Sequence, residues 1–145
     1  MSKRNKNIDS LQAPFRSKIS SLICLIDKEG LPFIIFETLR SHERQEKLKA
    51  TGASKAGAGQ SPHNYGLACD FVLDTKKIKV RERMWNGKMY PDAWDYETPE
   101  AKAAYDRFGE LAESIGLEWG GRWKFLDVPH VQLSGWKDHI KKTDR

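Results

Sequence analysis

The sequence predicts an α+β fold. Two stretches repeat apolar residues at every third or fourth position, three short runs are rich in β-branched and aromatic residues, and glycines stand where these segments stop. The first helical stretch runs from Asp9 to Glu29, with Leu11, Phe15, Ile19, Leu22, Ile23 and Ile26 on one face and Gly30 placed to end it. Pro32 to Thr38 (Pro-Phe-Ile-Ile-Phe-Glu-Thr) then reads as a buried strand. Ser41 can cap a short helix from His42 to Ala50, with Gly52 as its stop.

Thr51 to Pro62 is made of small residues that cannot pack extensively and predicts a mobile loop. It leads into a strand over Leu67 to Leu73. Lys76 to Glu97 is charged, aromatic and punctuated by Gly and Pro, as in a hairpin or a long surface excursion. Its Trp85, Tyr90, Trp94 and Tyr96 either steady that hairpin or line a substrate groove. Thr98-Pro99-Glu100 has an N-cap, a proline at the first helical position and an early acid, and Ala104, Phe108, Leu111, Ala112 and Ile115 supply the second apolar face before Gly116. A turn at Gly120 and Gly121 precedes a strand around Val128 to Leu133.

At 145 residues the chain fits one domain, 1–145, and no internal repeat or linker divides it. No apolar run approaches the roughly 18 residues of a membrane helix, so stable membrane insertion is not expected. The basic start, Met1 to Asn7, is followed by Asp9, Gln12, Pro14, Arg16 and Lys18 instead of an apolar leader core, which predicts synthesis in the cytoplasm without a signal peptide. The net charge of +5 favours anionic surroundings, but the basic residues are scattered, densest at Lys3, Arg4, Lys6 and at Lys137, Lys141, Lys142, Arg145, and form no nucleic-acid motif. Nucleic acid is not an expected partner, and a monomer is expected. Cys24 and Cys69 each sit among apolar neighbours, as buried free thiols do, and no Cys-x-x-Cys is present. Any metal must therefore be held by histidine and carboxylate.

Two segments carry such groups. In Ser61-Pro-His63-Asn-Tyr-Gly66-Leu-Ala68-Cys-Asp70, Pro62 and Gly66 oppose a continuous helix, so His63 falls on a turn and Asp70 on a strand. Strand alternation then puts Ala68, Asp70 and Val72 on one face and Leu67, Cys69, Phe71 and Leu73 on the other. A carboxylate inside an apolar strand is costly to bury unless a cation or donors meet it. The second segment, Phe125-Leu-Asp127-Val-Pro129-His130-Val-Gln132-Leu, again sets an Asp and a His in strand-like surroundings. Each segment by itself also fits a satisfied structural histidine or an Asp-initiated turn. Together they fit a catalytic zinc set of two imidazoles and one carboxylate with an open fourth position, where zinc activates water and polarises a carbonyl while a nearby carboxylate moves the proton.

The pattern Ser61-x-His63-x-x-Gly66-x-Ala68-x-Asp70, with Asp127-x-Pro129-His130-x-Gln132 downstream, resembles the zinc metallopeptidases that include phage L-alanyl-D-glutamate endolysins and D-Ala-D-Ala carboxypeptidases. Glu37-Thr-Leu-Arg40-Ser41-x-x-Arg44-Gln45 and Gly116-Leu-Glu-Trp119-Gly-Gly-x-Trp123 extend the likeness over about residues 33 to 133. The resemblance implies a hedgehog/D-Ala-D-Ala peptidase-like fold, a small antiparallel sheet carrying a zinc site and flanked by helices, with its catalytic motifs in 37–73 and 117–133. It implies one Zn²⁺ on His63, Asp70 and His130, Asp127 as general base, and Arg40, Ser61 and Gln45 as substrate-binding residues. The implied partner is a peptidoglycan stem peptide. Asp127-Val-Pro-His130 departs from the Glu-x-Trp-His pattern of the carboxypeptidases and leans toward an L-alanyl-D-glutamate endopeptidase, a phage or prophage endolysin acting on the wall after release. D,D- or L,D-carboxypeptidase activity, and a non-catalytic zinc-stabilised wall-binding module, are the alternatives. Leu39 and Arg122 also depart from the family pattern, which bears on substrate specificity and not on the metal.

Overall fold

In the computed structural model, residues 3–140 are described, so Lys141, Lys142 and Arg145 of the basic tail lie outside them. The elements in chain order are α1 (Ala13–Glu29), β1 (Phe33–Glu37), α2 (His42–Ala50), β2 (Ala68–Leu73), β3 (Glu82–Trp85), β4 (Lys88–Pro91), α3 (Pro99–Ser114), β5 (Leu117–Trp119) and β6 (His130–Leu133). Four strands form an antiparallel sheet in the order β1-β2-β6-β5, and β3 and β4 form a separate hairpin. Among the described residues, no helix is long and apolar enough to cross a membrane.

Alternation along the strands divides the sheet into two faces. Cys69, Phe71 and Leu73 of β2, Val131 and Leu133 of β6, and Leu117 and Trp119 of β5 join Phe15, Ile19, Leu22 and Ile26 of α1 and Tyr105, Phe108 and Leu111 of α3 in one hydrophobic core. The alternation expected for residues 67–73 therefore holds, with Asp70 on the face away from that core. Phe15 and Phe108 are fully buried, and side chains of this kind are worth about 3–5 kcal/mol by truncation to alanine.

Several boundaries differ from the sequence reading for local reasons. The first helix begins at Ala13 and not Asp9, because Pro14 starts it and the preceding residues make a separate turn over Ile8–Ser10, capped by the Asn7 side chain. Leu11 still reaches the core. Strand β1 lies at the sheet edge and is only half-buried, with Ile34 exposed. Cys24 is exposed, whereas Cys69 is buried as expected. Thr98 stands at the N-cap of α3, but its hydroxyl donates to Asp95 and does not cap the helix. The hairpin turn Asn86-Gly87 has φ of 49° and 76°, the left-handed pair that a two-residue hairpin needs. The short strand β5 escaped the sequence reading.

The loop before Ser61 does not hang free. Gln45 Nε2 donates to Ser54 Oγ and to the Ala56 carbonyl, and Glu46 accepts the Ala58 amide, so α2 holds this small-residue stretch by side-chain bonds.

Candidate metal centre and active-site cleft

The polar face of the sheet is a lattice of cross-strand neighbours. Asp70 lies directly opposite His130, Gln132 lies between Ala68 and Glu118, and Glu37 lies opposite Asp70 on its other side. Opposed residues of antiparallel strands project to the same side about 5 Å apart. This is why Asp70 and His130 meet despite their distance in the chain. Glu37 reaches this face through an irregularity in β1: Ile35 pairs with Phe71, Phe36 is left over, and Glu37 pairs with Asp70. The extra residue turns Glu37 from the core face to the cleft face.

His63 arrives from the other direction. Pro62–Tyr65 forms one short helical turn capped by Ser61, whose hydroxyl accepts the His63 amide, and Gly66 ends it with a left-handed φ of 70°. The ring is buried. Its Nδ1 lies 2.8 Å from the Thr38 carbonyl, which can only accept, so Nδ1 carries the proton and the lone pair is on Nε2. That Nε2 is buried without a hydrogen-bond partner and stands 3.2 Å from Asp70 Oδ1.

His130 is held with the opposite polarity. Its Nε2 lies 2.8 Å from Gln132 Oε1, while the Gln132 amide donates to Glu118 Oε2 at 3.1 Å. Glu118 also accepts from the Trp123 indole. A carboxylate takes only donors, which orients the Gln132 amide, puts the His130 proton on Nε2 and leaves Nδ1 facing Asp70 Oδ1 at 3.0 Å.

One donor atom each from His63, Asp70 and His130 lies within 4.8 Å of the others, the only such His, Cys or carboxylate group among the described residues. An orphaned buried imidazole nitrogen, a second lone pair and a carboxylate converging on one point fit a borderline cation such as zinc. Without a cation, burial would raise the Asp70 carboxyl, but the charge and N–H groups of His63 and His130 in their protonated forms hold it well below the usual range. Burial would lower His130, but Asp70 and Asp127 raise it.

Asp127 stands at the mouth. Its side chain is 50% exposed and its Oδ2 lies 3.9 Å from His130 Nδ1; burial of the carboxyl raises its pKa above the ordinary value. The Gly120–Arg122 turn seats it, since the Asp127 amide donates to the Gly120 carbonyl. A Cβ on Gly120 would fall 2.2 Å from the Asp127 carbonyl oxygen, so only glycine admits this approach. Trp119 is similarly wedged, because side chains at Gly109 or Gly121 would overlap its indole.

Arg40 is buried beside the site. Its Nη2 donates to Glu37 at 2.8 Å and lies 3.7 Å from Asp70 Oδ2, its Nη1 donates to Gln45 Oε1, and its Nε has no partner. Arg44 also donates to Glu37, and the two guanidiniums hold the Glu37 carboxyl below the ordinary value against its burial. Gln45 is fully buried and bonded to Arg40, Ser54 and Ala56. The structure thus places Gln45 behind the cleft wall, holding Arg40 and the loop, and not in the cleft lining. Ser61 lines the cleft, with its hydroxyl used as the cap of the His63 turn.

The cleft, of about 390 Å³, is lined by Glu37, Arg40, Ser61, His63, Asp70, Asp127, His130 and Gln132, with Phe36, Trp94 and Trp123 as aromatic walls. Trp94 thus faces the site, while Tyr96 bonds to Asp106 and packs on Tyr105. Gln132, Glu118 and Thr38 were missed by the sequence reading. Gln132 carried a signal, a polar residue two positions beyond His130 and therefore on its face; Thr38 acts through its backbone and carried none. His42 and His139 lie outside the cleft lining.

An antiparallel sheet presenting two imidazoles and a carboxylate below an open cleft, with a further carboxylate at its mouth, defines a metallohydrolase class of site. Residues 54–133 match the D-alanyl-D-alanine carboxypeptidase family. The chain is 32% identical over 139 residues to the peptidoglycan L-alanyl-D-glutamate endopeptidase CwlK of Bacillus subtilis, covering 88% of this chain and 70% of that one. It is 31% identical over 129 residues to the L-alanyl-D-glutamate peptidase of Listeria phage A118, covering 88% of this chain but 40% of the phage protein. The crystal structure of the Serratia marcescens L-Ala D-Glu endopeptidase ChiX superposes with a TM-score of 0.61 at 24% identity, over 96% of this chain and 92% of that one. The chain belongs to the D-alanyl-D-alanine carboxypeptidase family of zinc metallopeptidases. Its fold is the D-Ala-D-Ala peptidase-like α+β fold.

Proposed function

We propose that this protein is a zinc peptidase that hydrolyses the L-alanyl-D-glutamate bond of peptidoglycan stem peptides. The observation that carries the reading is the convergence of the orphaned His63 Nε2, His130 Nδ1 and Asp70 on one point beside Asp127. His63, Asp70 and His130 would hold one zinc ion. Bound there, it supplies Lewis acidity toward the scissile carbonyl and acidifies the attacking water. Asp127, half-exposed at the mouth, accepts a proton from the attacking water and returns it to the leaving amine. Arg40, fixed by Glu37 and Gln45, lines the cleft and offers its fixed charge to a substrate carboxylate or to the carbonyl oxygen. Ser61 shapes the adjoining wall.

The bond preference is supported by the names of the two relatives at 31–32% identity and by the Asp127-Val-Pro-His130 sequence. This reading takes residues 1–145 as one monomeric domain acting, like an endolysin, on the wall after release from the cell. Its charge of +5 would draw it to an anionic envelope, an attraction that salt weakens.

Digestion of purified peptidoglycan followed by mass spectrometry tests the activity. New L-alanine C-termini and D-glutamate N-termini are the expected products; free D-alanine alone would make the protein a carboxypeptidase, and no product would make it a binding module. Elemental analysis should find about one zinc per chain. Asp127→Ala should keep the metal and lose about 10²–10⁴-fold in rate, whereas His130→Ala should lose both metal and rate. Equal zinc loss in the two variants would make Asp127 a ligand.

A further inference from the structure

A second groove adjoins the metal cleft. Trp85 is 63% exposed, Tyr90 44% and Trp94 42%, and with Phe36, Arg4 and Arg83 they line a hollow of about 560 Å³, a volume typical of small-ligand sites. Trp85 and Tyr90 stand on β3 and β4 with ring centroids 6.4 Å apart. Phe36 and Trp94, 5.0 Å apart edge to face, line both this groove and the cleft and form the ridge between them. The Arg4 guanidinium covers Phe36, and Arg83 is exposed at the groove. Exposed aromatic surface gathered in this way marks a binding face more often than chance exposure.

The chemistry of the proposed substrate says what lies there. In peptidoglycan the stem's L-alanine is joined through a lactyl group to the muramic sugar, so an enzyme that cuts after this alanine must receive the glycan one residue from its metal. The alanyl and lactyl units together span about two residues of extended chain, roughly 7 Å. The groove and the cleft share Phe36 and Trp94 as walls. We propose that the Trp85–Tyr90 groove binds the glycan strand of peptidoglycan on the alanyl side of the scissile bond. Hexosamine rings present flat C–H faces, which suit an indole and a phenol ring, and a rim of hydroxyl and acetamido oxygens, which suit the donors of Arg4 and Arg83. The inference rests on the peptidase reading above, and the hairpin supplies its own independent site.

Two measurements separate the groove from the activity. Glycan strands stripped of their peptides by an amidase are titrated into the intact protein, followed by tryptophan fluorescence and by the indole N–H signals in NMR. Saturable changes at the Trp85 and Trp94 indoles, with the Trp94 change lost or weakened at least fivefold in Trp85→Ala, are expected whether or not the protein cuts anything; absence of binding overturns the proposal. In hydrolysis, a disaccharide-linked stem peptide should have a KM at least fivefold below that of the same free peptide, and Trp85→Ala and Tyr90→Ala should erase this difference while circular dichroism and thermal unfolding stay close to wild type. Equal KM values in the wild type, or a preference that survives both substitutions, would also overturn it. If neither peptide is cut but stripped glycan still binds, the activity reading fails and the groove stands. Concentration-dependent association abolished by Trp85→Ala, without glycan binding, would assign the face to a second copy of the chain and overturn the glycan assignment.

Discussion

His63 and His130 present different ring nitrogens to the same point, Nε2 in one and Nδ1 in the other, and the difference is written in what lies behind each ring. A backbone carbonyl, that of Thr38, fixes His63. A chain of side chains, Gln132, Glu118 and Trp123, fixes His130. The second support is therefore open to substitution. Gln132→Leu should leave the His130 Nε2 proton unpartnered, let the ring turn or change tautomer, and weaken zinc binding about 10–100-fold in competition with a chelator of known affinity. Glu118→Gln should have a smaller effect in the same direction, because an amide can still accept from Gln132. Unchanged affinity in both variants would show that the sheet backbone alone orients the ring. At this scale the strand face of Asp70 was legible from alternation, and the burial and mutual bonding of Arg40 and Gln45 were not. Polar residues that support a neighbour and polar residues that meet a ligand look alike in a sequence; only the fully buried position of Gln45 separates them.

The long helices were legible because each buries a periodic apolar face, and β2 was legible because its runs of apolar residues end at Gly66 and Asp74. The short helix α2 obeys a different logic: its buried residue is Gln45, so its docking is polar, and its cap at Ser41 was the readable part. The strand β5 is three residues long, too short for alternation to show. The irregularity at Phe36 depends on pairing with β2, a distant segment, and leaves no local mark. The junction between the β3–β4 hairpin and α3 is another such feature. Asp95 is fully buried there and accepts from the amides of Arg81, Glu97 and Thr98 and from the Thr98 hydroxyl. Burial would raise its pKa, but these donors overturn that effect and hold it at about 2. Because the folded value is depressed, its contribution is present at neutral pH, begins to fall below the ordinary aspartate value of about 3.9, and is gone once the pH drops through about 2. Asp95→Asn should therefore flatten the acid limb of the thermal-stability profile between those values and cost about 1–3 kcal/mol at neutral pH. An acid limb identical to wild type would remove Asp95 from the account.

Over the whole molecule, the metal would tie β2, β6 and the Pro62–Tyr65 turn to one another, three segments otherwise joined through the sheet and core. A ligand that binds only the folded chain stabilises it by mass action, about 2.7 kcal/mol when free zinc is at 100 times its dissociation constant, or roughly 5–10 °C in a chain of this size. Stripping the metal with a chelator should lower Tm by that order and adding zinc should restore it. The shift should persist in Asp127→Ala and disappear in His63→Ala. No shift in the wild type would mean that the three donors do not hold zinc tightly.

The strand order also has a meaning in time. β6 is the last strand among the described residues, yet it lies between β2 and β5 at the centre of the sheet. During synthesis at about 5–20 residues per second, His130 follows His63 by roughly 3–13 seconds, and once Asp70 has been added the nascent chain holds two of the three donors until His130 completes them. A ribosome-bound fragment thus has no complete site with which to capture zinc or cut a peptide. The donor set is complete only after β6 has been made and paired between β2 and β5.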